Sequence, residues 1–233
     1  MIADSTDNTL TITCEAGDTT YYYAAYMNTC GTIFSDSAEI ITKMPPTITQ
    51  QPQPQTVCLN DTATLSIKVS GFQPIYYQWQ HEGADIDNSN ASGVNSSNLS
   101  IENIDEGQSG LYSCIAWNDC GEVYSDTVMV EIVMPPNIVS QPDAIEVCEG
   151  DAASMEMIIQ GSEPIDYFWT EVSSGDTIST NAVLEFPEAQ AEDDGFYQCI
   201  VSNQCEDINS DQAELTVHTY PDFTTQPVEI DAC

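Results

Sequence analysis

The chain has 233 residues, and its 38 Asp and Glu are set against two cations, Lys43 and Lys68, giving a formal net charge of −36 with no arginine. Phosphate backbones and anionic lipid headgroups are bound by clustered Lys and Arg, so nucleic-acid binding and electrostatic membrane docking are excluded. With 41% hydrophobic and only 17% charged residues, the chain still carries enough apolar material for a folded core.

Met1 is followed by the polar run Ala3–Asn8, which is no signal peptide, and no stretch approaches 18 apolar residues, so nothing here inserts into a membrane. The segment Asn8–Pro46 aligns with Asn98–Pro136 and with Asn181–Pro221. Cys30 and Cys120 are 90 positions apart, Cys120 and Cys205 are 85, and Trp79 and Trp169 are 90. PPTITQQPQPQTVCLND (Pro45–Asp61) likewise matches PPNIVSQPDAIEVCEGD (Pro135–Asp151), and the pattern restarts over Pro221–Cys233. The expected organisation is the end of one repeat over 1–44, a first complete repeat over 45–134, a second over 135–219 and an opening strand over 220–233. The chain thus reads as a piece of a longer protein. Leu65–Val69, Leu99–Ile101 and Val128–Ile132 alternate apolar and polar residues, and no window carries a helical period. About seven short strands per repeat predict an all-β fold of tandem antiparallel sandwiches, joined by stiff Pro-Pro linkers.

At Trp79 in YYQWQ, Trp169 in DYFWT and Asp193-x-Gly195-x-Tyr197-x-Cys199, the chain resembles immunoglobulin-like domains of the intermediate set. The resemblance implies that Trp79 and Trp169 are core residues, and that Tyr112 and Tyr197 form tyrosine corners, each hydroxyl tying its strand to the preceding turn. Two departures stand out. The position of the usual core cysteine opposite the tryptophan is Ile67 in one repeat and Met157 in the other, and the Asp of the D-x-G-x-Y motif is Gln108 in the first complete repeat. VCxGD and NxCG elements recur, as in immunoglobulin-like repeats of large Bacteroidota surface proteins.

Nine cysteines without any CxxC or Cys/His cluster point to disulfides in an oxidising compartment rather than zinc. Two pairings stand open. Cys30 persists where Ala24 replaces the neighbouring strand cysteine, which favours Cys58–Cys120 and Cys148–Cys205. In the standard sandwich those positions lie at opposite ends, and bridged Cα atoms must lie within about 7 Å, which favours Cys58–Cys114 and Cys148–Cys199.

His81 and His218 lack partner motifs and read as solvent-exposed, so no catalytic constellation is expected and the chain reads as no enzyme. No cofactor is expected. Calcium is the one ion suggested: Asp85, Asp87 and Ser89 offer oxygens at alternating positions, without the later bidentate Glu. Strand parity turns Trp117 and Ile115 outward, beside Gln78 and Gln80, as a ligand platform or as a patch in which Trp117 packs on Tyr76. The expected role is a secreted or cell-surface repeat region of bacterial type. It would act in adhesion or presentation toward an extracellular protein or glycan, with neighbouring modules as its other partners. A spacer, or an ancillary part of a secreted hydrolase, is the alternative.

Overall fold

The computed structural model describes residues 19–222 and 224. Cys14, Cys233 and most of the strand expected over 220–233 lie outside them. The chain forms two compact units that divide between Ile132 and Val133.

In the first unit, β1 (Thr19–Tyr22), β2 (Ala25–Asn28), β3 (Gly31–Phe34) and β4 (Ala38–Ile41) make two antiparallel pairs, β1 with β4 and β2 with β3. There follow β5 (Thr47–Gln50), β6 (Gln55–Cys58), β7 (Ala63–Ser66), β8 (Lys68–Ser70), β9 (Tyr76–His81), β10 (Ala84–Asp85), β11 (Asn98–Ile101), β12 (Gly110–Asn118), β13 (Gly121–Tyr124) and β14 (Val128–Val133). One sheet runs β10-β9-β12-β14-β6, with β13 also on β12; β7 pairs with β11, and β5 with β8.

The second unit repeats this plan. Its strands are β15 (Asn137–Ser140), β16 (Ile145–Cys148), β17 (Ala153–Met155), β18 (Ile158–Gln160), β19 (Asp166–Glu171), β20 (Thr177–Ser179), β21 (Leu184–Phe186), β22 (Gly195–Ser202), β23 (Asp207–Asn209) and β24 (Ala213–His218). The order is β16-β24-β22-β19-β20 with β23 on β22, beside the pairs β17-β21 and β15-β18. The all-β sandwich is as expected, but not every pair is antiparallel. β16 runs parallel to β24, because the chain leaves β15 on one sheet and crosses to the other without reversing.

Alternation builds the cores. Along β12, Gly110, Tyr112, Cys114, Ala116 and Asn118 face inward while the residues between them are partly or fully exposed. Trp79 and Trp169 are fully buried, directly across the strand pair from Cys114 and Cys199. Ile67 fills the first core at the position of the usual second cysteine, and half-buried Met157 packs against the second.

Neither expected cysteine pairing forms. Cys114, Cys120, Cys148 and Cys199 are free thiols, whereas Cys58 and Cys205 are disulfide-bonded. Cys114 and Cys199 are buried inside the sandwich, opposite Trp79 and Trp169. Burial pushes their thiols up to about 12 and about 11.

The tyrosine corners are present. Tyr112 Oη donates to the Gln108 carbonyl and Tyr197 Oη to that of Asp193, each at 2.7 Å. Gln108 replaces Asp without loss because only an acceptor oxygen is needed: its Oε1 takes the Asp105 N–H at 2.9 Å, as Asp193 Oδ2 takes that of Gln190 at 2.8 Å. The cores differ in one donor. Trp79 Nε1 donates to the Ser96 carbonyl at 2.9 Å, whereas Trp169 Nε1 is buried without a partner. The second repeat is shorter by five residues between its tryptophan and its hairpin cysteine.

Trp79→Phe strands the Ser96 carbonyl, while Trp169→Phe removes a donor that has no acceptor. The first should therefore cost about 1 kcal/mol more in urea unfolding followed by circular dichroism; equal losses would contradict this account. Burial also lifts Tyr112 and Tyr197 from 10.0 to about 12. Between those values the unfolded chain has lost protons that the folded chain retains, and the buried thiols of Cys114 and Cys199, raised from 9.0, act in the same sense, so stability should fall as pH rises from about 9 to about 12. Tyr112→Phe should remove part of that fall.

Candidate binding face and linker clamp

The outward side of β9, β12 and β13 gathers the residues expected to form a platform. Register places Trp117 opposite Tyr76 and Glu122, and Ile115 opposite Gln78 and Tyr124. The Trp117 and Tyr76 rings stack at 5.9 Å with 28° between their planes. Trp117, Tyr76 and Tyr124 remain 37%, 49% and 59% exposed, and Tyr124 Oη donates to Glu122 at 2.9 Å. The packing of Trp117 on Tyr76 and the exposed platform are thus one arrangement. The glutamines do other work. Gln78 Nε2 donates to the carbonyls of Trp79 and Ile86, its Oε1 accepts from Asn95, and Gln80 Nε2 donates to Asp85. Both hold the edge of the sheet rather than offering free amides.

The candidate calcium run closes on itself. Asp87 accepts from the Ser89 N–H at 2.9 Å and from its hydroxyl, which holds the Asp87 carboxyl below its ordinary value, while Asp85 is engaged by Gln80. Among the described residues no three His, Cys, Asp or Glu side chains gather as a metal site. His81 is not solvent-exposed as expected: its ring stacks on Tyr112 at 4.6 Å, and Nε2 lies 3.2 Å from the Ser109 carbonyl.

A second constellation sits where the chain enters each sandwich. Asn118 Nδ2 donates to the carbonyls of Met44 (2.8 Å) and Phe72 (2.9 Å), and its Oδ1 accepts from the Cys120 N–H. Asn203 repeats this with Met134 (2.8 Å), Ser162 (3.2 Å) and Cys205. One side chain thereby ties linker, neighbouring turn and hairpin together. Glycine makes the close approach feasible: a Cβ on Gly71 would stand 3.0 Å from Pro46 Cα, and one on Gly161 3.0 Å from Pro136 Cα. In the first unit Lys43 adds an ion pair with Asp119 at 2.9 Å and lies over the Phe72 ring at 5.1 Å.

The sequence profile described as the immunoglobulin domain matches residues 45–118 and 135–203. The chain belongs to the immunoglobulin-domain family. Human neogenin (Homo sapiens) is 29% identical over 225 residues, covering 90% of this chain and 15% of that protein. Neuroglian of Drosophila melanogaster is 25% identical over 190 residues, covering 78% and 14%. The chain therefore spans about one seventh of these relatives' length. Among solved structures, the titin I-band fragment I67-I69 superposes with a TM-score of 0.66 at 23% identity, covering 75% of this chain and 66% of that one. Immunoglobulin domains 1-4 of Sidekick-1 give 0.61 at 19%, covering 88% and 60%.

Within these immunoglobulin domains, sequence reasoning passed over Asn118 and Asn203 as individual residues. The signal was the recurrent N-x-C, which also includes Asn28, whose Oδ1 accepts from the Cys30 N–H at 2.8 Å. Asn118→Ala should leave two carbonyls and one N–H without their partner and cost about 1–3 kcal/mol. Amide exchange at Lys43, Met44 and residues 71–73 should rise by more than elsewhere in the first unit. Unchanged exchange there would dismiss the clamp.

Proposed function

We propose that this immunoglobulin-like stretch is a non-catalytic, extracellular or cell-surface repeat region that acts in adhesion or ligand presentation, and that its contact surface is the aromatic face of the first complete repeat. The observation that carries this reading is the stacked Tyr76–Trp117 pair beside exposed Tyr124. Large rigid rings supply contact area at little entropic cost and dominate binding hot spots. A glycan ring or the side chains of an extracellular protein fit such a face. The acidic surroundings disfavour nucleic acid and anionic membranes. Among the described residues no helix is long and apolar enough to cross a membrane. A relative such as the netrin receptor DCC is by its name a receptor, which is in keeping with a binding role. The bacterial attribution rests on the VCxGD and NxCG elements alone, since the relatives above are animal proteins.

A spacer role is favoured by a different observation, the recurrence of the asparagine clamp at the start of both complete repeats. The two readings separate in one experiment: the full chain is screened against arrays of glycans and of extracellular proteins, alongside Trp117→Ala and Tyr76→Ala. The platform reading expects captured ligands to be lost about tenfold or more, corresponding to about 1.4 kcal/mol, with unchanged circular dichroism. Capture insensitive to both substitutions would move the contact elsewhere, and no capture at all would leave the spacer reading.

A further inference from the structure

The face at Tyr76, Trp117 and Tyr124 presents rings and one carboxylate, and little else that can bind. Register sets Glu122 directly opposite Trp117 on the same side of the sheet, a pairing that brings cross-strand Cβ atoms to about 5 Å. Its Oε1 accepts from Tyr124, and the side chain is exposed. The hydroxyls of a sugar need donors and acceptors beside the rings. Here the nearest amides, Gln78 and Gln80, are spent on Trp79, Ile86, Asn95 and Asp85. What remains is an electron-rich ring surface with a negative charge at its edge, and that combination favours a cation over a neutral ligand.

The same unit shows this combination satisfied once. Lys43 Nζ lies 5.1 Å from the centre of the Phe72 ring while pairing with Asp119 at 2.9 Å, so ring and carboxylate share one ammonium. At Trp117 the ring and the carboxylate recur without a lysine or arginine. Lys43 is committed to Asp119, Lys68 lies on β8, which pairs with β5 outside the sheet of β9 and β12, and the chain has no arginine. A second copy carries the same charge of −36 and is repelled. Resting on the reading that this face is the contact surface, we propose that its occupant is a basic protein segment, with one Arg or Lys side chain over the Tyr76–Trp117 stack and its charge at Glu122. Arginine suits the face better, because a planar guanidinium stacks on aromatic rings and still pairs with a carboxylate. The acidic chain draws such a segment in, and the rings fix where it docks. In the second complete repeat the acid is kept as Asp207 but faces Ser202, so that repeat attracts a cation without a ring to hold it.

The test is a titration of the isotope-labelled full chain followed by nuclear magnetic resonance. Three probes are used: a short capped peptide of Gly and Arg, the same peptide with neutral citrulline for Arg, and the neutral oligosaccharide cellohexaose. At about 150 mM salt, charges beyond about 8 Å are largely screened, so distant carboxylates contribute little. The Arg peptide should shift the Trp117 indole N–H and the amides of Tyr76, Glu122 and Tyr124 to saturation, while the citrulline peptide leaves them in place. Glu122→Gln and Trp117→Ala should each weaken that binding about threefold or more, and Asp207→Asn should leave it unchanged. Shifts spread evenly over the exposed carboxylates, or a Glu122→Gln chain that binds as tightly, overturn the inference. Cellohexaose moving these signals where the Arg peptide does not overturns the cation and sustains the face. Silence from the Arg peptide overturns the cation in every case; if array capture is also insensitive to Trp117→Ala and Tyr76→Ala, the contact-surface reading falls with it.

Discussion

The burial of one tryptophan against the middle of one strand is the constraint on which each repeat depends. Trp79 and Trp169 lie opposite Cys114 and Cys199, and no disulfide closes the sandwich at that point. Cohesion between the sheets comes instead from packing, with Ile67 and Leu65 in the first core and Met155, Leu215 and half-buried Met157 in the second. A disulfide stabilises largely by restricting the unfolded chain. Without one, the core must rely on close fit. Once the tryptophan is fixed, period-two alternation decides everything else on β9 and β12: the tyrosine of the corner must point in, and Ile115 and Trp117 must point out.

Charge shapes how the remaining polar groups are satisfied. With 38 carboxylates and two lysines, ion pairing cannot be a general device. Carboxylates and amides instead accept backbone N–H bonds. Glu82 receives Leu111, Asp194 receives Val217 and Asp193 receives Gln190. Such bonds need an oxygen rather than a charge, which is why Gln108 substitutes for an acid in the corner of the first repeat. The carboxylates left over stay in solvent and keep copies of the chain apart.

Much of the fold could be read from the sequence because period, tryptophan and tyrosine each carry a local signature. The parallel β16–β24 pair could not, since alternation reports which face a residue takes but not the direction of its neighbour. The outward set at Trp117 followed from parity, yet Gln78 and Gln80 were misjudged. Parity places a side chain on a face without showing that Ile86, Asn95 and Asp85 consume its hydrogen bonds. Asn118 and Asn203 were visible only as part of a motif, because their acceptors lie 74 and 69 residues away at the linker. The cysteine pairings failed because each drew on Cys114, Cys120, Cys148 or Cys199, all of which are free thiols.

Comparison of the two complete repeats divides the surface by role. At the leading ends the side chains recur: Asn118 and Asn203, Gly71 and Gly161, Cys120 and Cys205. On the outward face they do not. By register Tyr76, Trp117 and Tyr124 correspond to Asp166, Ser202 and Asn209. A joint must satisfy the same backbone groups each time the fold is repeated, so its chemistry is fixed by the linker geometry. A face exposed to solvent has no such partner within the chain and is free to differ. The aromatic set of the first repeat is therefore not something the fold requires, and the proposed binding role rests on that difference between the repeats.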